Sequence, residues 1–388
     1  MRNPTLDVLR AYAVLLVFAR HCPELILIAH LGWAGVDLFF VLSGFLVSGL
    51  LFREYQQTRQ IRPGLFLLRR GFKIYPQFYL FIAATLGLRV LSHQALPPQA
   101  VAADAAFFQN YVPGLWEHTW SLAVEEHFYL LLTIAIALLA RRGGENPFAQ
   151  LPRWISVFCA LILGARVATW YFNPEVSIYA HQYPSHLRMD SLLAGVLLAY
   201  FHVFQSDSLT AWTRRVGPWL PQASILLLSP IAFLSNTHPF IYTVGFSMVS
   251  AGFALLLTMV LYPVKPLKPL GRAGRALARL GQVSYAFYLW HGLVLSFGKG
   301  LLPHVEVGEM SVLSYAEIAI SFAATLILAF ATTWLIEQPL LRMRDRWLPS
   351  RAKSPLILPR LAHSPLLTPS RDCEGAVLNT SAVTDQPV

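Results

Sequence analysis

Charge is what this sequence has least of. Only 13% of its 388 residues are Asp, Glu, Lys or Arg, about half the share of an ordinary soluble domain. With 55% of its residues hydrophobic, a water-soluble globule of this composition could not cover itself with polar surface. Cysteine is also scarce: Cys22, Cys159 and Cys373 lie far apart, without metal-ligand or redox spacing, so no disulfide framework is implied. There is no glycine-rich phosphate loop, no HExxH motif and no G-x-S-x-G turn. No metal is expected. The first apolar stretch runs into Arg20 and His21 rather than a small-residue cleavage site, so it does not read as a cleaved signal peptide.

What fills the chain instead is apolar runs near the roughly 20 residues that cross a bilayer. Ten can be placed, at about 9–28, 36–52, 74–91, 121–140, 154–172, 190–204, 219–235, 244–262, 281–301 and 312–336. The expected fold is an all-α, polytopic membrane bundle of about ten transmembrane helices. With the N-terminus inside, 25 of the 30 Lys and Arg fall on inner segments, as the positive-inside rule requires of one orientation. The net charge of +10 therefore reads as basic inner loops, with no nucleic-acid partner implied. Both termini are expected to be cytoplasmic. Residues 1–346 are expected to form one membrane domain, and the polar, Pro- and Ser-containing residues 347–388 a disordered cytoplasmic tail.

Ionisable residues inside such spans are costly and ask for a partner or a task. In LDVLRAYAVLLVFARHC, Arg10 and His21 lie eleven residues apart, within about 20° of one helix face and about 16 Å along the axis. A snorkelling arginine and a structural histidine are the plain alternative. Asp37, in GWAGVDLFFVLSGFLVSGLL, stands at the depth of His21 on the way back, where a carboxylate can orient an imidazole. Ser43, Gly44, Ser48 and Gly49 suit close helix packing. Glu125 and Glu126, in HTWSLAVEEHFYLL, point about 100° apart, one to a polar cavity and the other to a cation such as Arg188, or both serve the helix dipole. Arg188 and Asp190 fit a salt bridge or substrate binding equally. Arg69, Arg70 and Lys73, in FLLRRGFKIYPQFY, read either as a positive-inside anchor or as a phosphate clamp. His291 falls in the aromatic stretch SYAFYLWHGLVL, and Glu337 is expected to pair with an inner-face arginine. Arg20 has no assigned role.

In order, the chain carries L-D-x-L-R…H, G-V-D-L-F-F-V-L-S-G-F-L, F-x-x-R-R-x-x-K-I-x-P, W-S-L-x-x-E-E-x-F-Y, R-x-D, L-G-x-x-S-Y-x-x-Y-L-x-H and E-x-P. From Leu6 to about Arg342 this series resembles the membrane-bound acyltransferase-3 family, which acylates, usually O-acetylates, cell-surface glycans and related acceptors. The resemblance implies an integral protein of a bacterial-type cytoplasmic membrane, with acyl-CoA, by default acetyl-CoA, as donor. A glycan or glycolipid hydroxyl would be the acceptor, and lipids the surroundings. It casts His21 as the catalytic histidine with Asp37 beside it, and Arg10, Arg69, Arg70 and Lys73 as donor-binding cations. Ser43, Glu125, Glu126 and His291 match further motif positions. Lys73 stands where the family has arginine, which keeps charge and loses bidentate geometry. Val8, His127 and Gly292 also depart from the pattern. A secondary transporter or flippase is the rival class, but no inverted halves or paired broken helices are evident.

Overall fold

A computed structural model describes residues 3–22, 24–264, 269–298, 306–307, 310–311 and 313–350. The first helix, α1 (Pro4–Arg20), starts with proline, whose missing N–H costs nothing in a first turn, and the Asn3 side chain accepts from the Thr5 N–H at 3.0 Å. After a break at His21 and a short helix, Ile26–Leu31, α2 (Ala34–Thr58) returns antiparallel to α1. There follow α3 (Pro63–Leu91), α4 (Trp120–Ala140), α5 (Leu151–Phe172) and α6 (Ser185–Phe204). The next span is bent: α7 (Ser206–Val216), α8 (Leu220–Leu228) and a last turn at Pro230–Phe233 are separated where Pro218, Pro221 and Pro230 interrupt the backbone ladder. Then come α9 (Phe246–Leu261), α10 (Arg272–Gln282), α11 (Ser284–Gly298), α12 (Leu313–Thr332) and α13 (Gln338–Trp347). A two-residue antiparallel pair, Glu306–Val307 with Met310–Ser311, is the one departure from helix and loop among the described residues.

Each of the ten apolar runs is largely helical where described, and among the described residues eight helical segments are long and apolar enough to cross a membrane. The chain is a helical integral membrane protein. The first run gives a helix of 17 residues, short of the length a bilayer asks for, and the described part of the ninth is the helix Ser284–Gly298. One is cut at His21, and the other is separated from α10 by a turn at Val283. The tail predicted over 347–388 lies outside the described residues beyond position 350, and α13 ends at Trp347.

Small residues set the closest contacts, as the sequence suggested for 43–49. A Cβ on Gly44 would lie 2.0 Å from the Leu192 carbonyl oxygen, and one on Gly195 would lie 2.2 Å from that of Val41. Helices α2 and α6 thus meet antiparallel, backbone against backbone. Gly281 does the same for α10 against α1, at the Asp7 carbonyl. Around these seams a single apolar cluster runs through the bundle, with Val14, Val41, Phe45, Phe81 and Leu289 at its centre, all fully buried. Residues 333–337 form a π turn, an extra residue that rotates Glu337 inward, where it is buried.

Candidate active site

Two cavities lie within the bundle. The inner one, about 110 Å³, is lined by Arg10, Ser43, Arg70, Lys73, Glu125 and Glu126, with Tyr285 and Tyr288 above them. Arg10 from α1, Arg70 and Lys73 from α3, and the two glutamates from α4 therefore converge on one space, whereas Arg69, grouped with these cations in the sequence, does not line it. Their pairing is richer than expected. The Arg70 guanidinium donates to the Tyr129 hydroxyl at 2.6 Å and lies 4.4 Å from that ring's centroid. Tyr129 donates to Ser43 at 3.0 Å, and Ser43 donates to Glu125 at 2.6 Å. Glu126 accepts from Tyr75 at 3.0 Å. Both carboxylates feel the charge of Arg70. Neither pairs with Arg188, and both face the inner cavity, so the expected division of labour between them is corrected. Successive residues of α4 lie on adjoining sides of a polar space wide enough to receive both.

The outer cavity, about 190 Å³, is lined by Arg20, His21, Trp33, Glu117, His118 and Arg188, among others. Two residues, Val36 and Tyr288, line both cavities. His21 caps α1 and is exposed rather than buried, because the helix ends at the cavity wall. Its Nδ1 lies 2.9 Å from the Val17 carbonyl oxygen and 3.4 Å from His291 Nε2. A carbonyl only accepts, so Nδ1 carries the hydrogen, and in the neutral ring Nε2 carries the lone pair. His291, fully buried on α11, packs 4.8 Å from the His21 ring and 4.7 Å from that of His118. His118, buried at the head of α4, escaped the sequence reading. It stands in HTWSL, but a histidine among aromatics carries no periodic or spacing signal.

Asp37 is placed elsewhere. Its Oδ1 accepts from Arg188 at 2.7 Å and from Ser191 at 2.9 Å, and neither contact involves His21. The expectation that this carboxylate orients the imidazole is corrected: a fully buried anion is drawn to a fully buried guanidinium. Arg188 in turn lies 3.6 Å from the Phe246 ring centroid. Asp190 pairs not with Arg188 but with Arg166 of α5, and accepts from Ser247 at 2.8 Å. Arg166, unremarked in the sequence, is the largest fully buried side chain. Arg20 reaches the Asn236 amide oxygen at 3.5 Å, not a carboxylate.

On the other side of α3, Arg69 donates to Asp345 at 2.9 Å and to the Leu348 carbonyl. It lines a third, basic cavity with Arg70, Lys73, Arg344 and Glu54, and does not line the inner one. Glu337 pairs with Lys73 rather than with an arginine. Among the described residues no cluster of His, Cys, Asp or Glu is suited to hold a metal ion.

The comparisons fit this geometry. A family model described as an acyltransferase domain matches residues 3–334. The chain is 26% identical over 374 residues to the peptidoglycan O-acetyltransferase OatA of Listeria monocytogenes, covering 87% of this chain and 55% of that protein. It is 26% identical over 361 residues to the O-acetyltransferase OatA of Staphylococcus aureus, at 87% and 57% coverage. A putative O-acetyltransferase of Staphylococcus aureus matches at 27% over 358 residues, again 87% and 57%. The chain thus spans a little over half the length of these relatives. No solved structure matches. With the motifs gathered around two cavities and the family model covering almost the whole helical bundle, the chain belongs to the acyltransferase-3 family.

Proposed function

We propose that this chain transfers an acetyl group from acetyl-CoA, held from the cytoplasmic side, to a glycan hydroxyl presented in the outer cavity. The observation that carries this reading is the common wall: Arg10, Arg70 and Lys73 border one space, His21 borders the other, and Val36 and Tyr288 line both. Arg10, Arg70 and Lys73 meet the pantetheine end of the donor, while Arg69 and Arg344 in the adjoining basic cavity take nucleotide phosphates. The roughly 16 Å between Arg10 and His21 along a helix suits the reach of the pantetheine arm. His21 Nε2 removes the hydroxyl proton as the oxygen attacks the thioester carbonyl. The C–S bond then breaks, and the proton passes to the departing thiolate. The names of the relatives support a glycan as acceptor.

The test is His21→Ala in purified, reconstituted protein, with acetyl-CoA as donor and peptidoglycan fragments as acceptor. Loss of acetylation with unchanged folding is expected. Retained acetylation ends the proposal, and substrate translocation without acetyl transfer would favour the transporter reading instead.

A further inference from the structure

With Asp37 committed to Arg188, the imidazole of His21 needs another orienting group. We infer that His291 is the positioning residue for His21, with its tautomer fixed by the Tyr288 carbonyl and its ring held in place by His118 seated on Gly292.

Three hydrogen-bond relations set the proton positions. His291 Nδ1 lies 2.5 Å from the Tyr288 carbonyl oxygen, an acceptor only, so Nδ1 is the protonated nitrogen. In the neutral ring Nε2 is then an acceptor, and it points at His21 Nδ1 from 3.4 Å. The His21 Nδ1–H therefore lies between two acceptors, the Val17 carbonyl and His291 Nε2. This places the lone pair on His21 Nε2, the atom that must take a proton. It also supplies an acceptor that stabilises the imidazolium formed as the hydroxyl is deprotonated. A buried neutral imidazole here takes the place a carboxylate fills in other nucleophile–base–orienter arrangements.

The third ring holds the second. His118 Nε2 lies 3.2 Å from the Leu289 carbonyl of α11, so this ring is tied to the helix that carries His291. Its other edge rests on a position of that helix without a side chain: a Cβ at Gly292 would lie 2.7 Å from His118 Cε1 and 2.8 Å from Nδ1. Any side chain at 292 must therefore displace the His118 ring, whose centroid is 4.7 Å from that of His291. Tyr288 closes the arrangement, since its hydroxyl donates to the His118 carbonyl while its own carbonyl receives His291.

The inference rests on His21 being the base, and the experiment separates the two claims. His291→Phe, His291→Gln, Gly292→Ala, His118→Ala and the Gly292→Ala/His118→Ala pair are compared with His21→Ala in the reconstituted acetyl-CoA assay. Loss of the orienting acceptor should lower kcat by about 100-fold in His291→Phe, with both KM values unchanged and the pH–rate profile displaced. Glutamine, whose amide oxygen reaches the place of Nε2, should restore most of the rate. Gly292→Ala and His118→Ala should each lower kcat, and the pair should lose no more than His118→Ala alone, because the added methyl then has no ring to displace; a general packing defect would add its own loss. If His21→Ala is inactive while His291→Phe stays within about twofold of wild type, the positioning role is overturned and the base survives. If the losses of Gly292→Ala and His118→Ala add in full in the pair, the His118 seat is overturned. Activity in His21→Ala overturns both readings.

Discussion

Val36 of α2 and Tyr288 of α11 each line both the inner and the outer cavity. On the proposed function, an acyl group carried on a thioester reaches His21 between them. Enlarging Val36 to Phe should therefore abolish acetyl transfer while leaving the fold intact. Val36→Ala should raise the rate with butyryl-CoA relative to acetyl-CoA by about 10-fold, the order that one or two methylenes are worth in an apolar slot. Rates of thiol release with the two donors measure this. Equal ratios in wild type and Val36→Ala would place the donor path elsewhere.

Asp37 and Arg188 form a pair with almost no exposure on either side chain. Removing one partner leaves a buried charge uncompensated, so Asp37→Asn should destabilise the bundle by about 3–5 kcal/mol. Asp37→Asn/Arg188→Met should regain much of that loss. Unfolding midpoints in denaturant provide the comparison. A normal midpoint with lost activity in Asp37→Asn would return this carboxylate to the chemistry.

Arg70 lines the inner cavity, whereas the neighbouring Arg69 turns to Asp345 and the Leu348 carbonyl. Neutralising Arg70 with Gln should raise the apparent KM for acetyl-CoA by about 10-fold or more, the worth of one charge-assisted hydrogen bond. The same change at Arg69 should weaken CoA and its 3′-dephospho analogue unequally. No change in donor KM at either site would leave the cluster as a topology signal alone.

Asp104, on the short helix Pro98–Ala105 ahead of α4, is fully buried and accepts from the Leu115 N–H at 2.8 Å. Burial pushes its carboxyl up to about 6, whereas the unfolded chain keeps a value of about 4. The folded state therefore binds this proton more tightly. Its stabilising effect is complete below about pH 4 and is lost as pH rises through 6, a difference of about 3 kcal/mol. The stability difference between wild type and Asp104→Asn should change by that order between pH 4 and pH 7, and a constant difference would refute it.

Much of the bundle was legible because apolar runs of membrane length announce helices, and because one turn of arithmetic puts Arg10 and His21 on one stripe. The closeness of Gly44 to α6 was legible for a similar reason, since small residues in an apolar helix have few other uses. Partner choice was not. Asp37 finds Arg188, 151 residues away in sequence, and Lys73 finds Glu337 through a π turn that no residue pattern marks. Depth in the membrane brought the correct groups near one another, but side-chain pairing depends on helix rotation, which hydropathy leaves open. His118 was overlooked because the groups it meets, Leu289, His291 and Gly292, lie on another helix far along the chain.

The seam between α2 and α6 has one more consequence. Gly44 and Gly195 let two main chains touch, leaving no layer of side chains to slide or repack between them. Such a joint behaves as a keel: Asp37, Ser43 and Arg188 ride on it as a fixed frame of reference. On the proposed function, whatever breathing admits a donor or releases a product falls to the lighter planking around it.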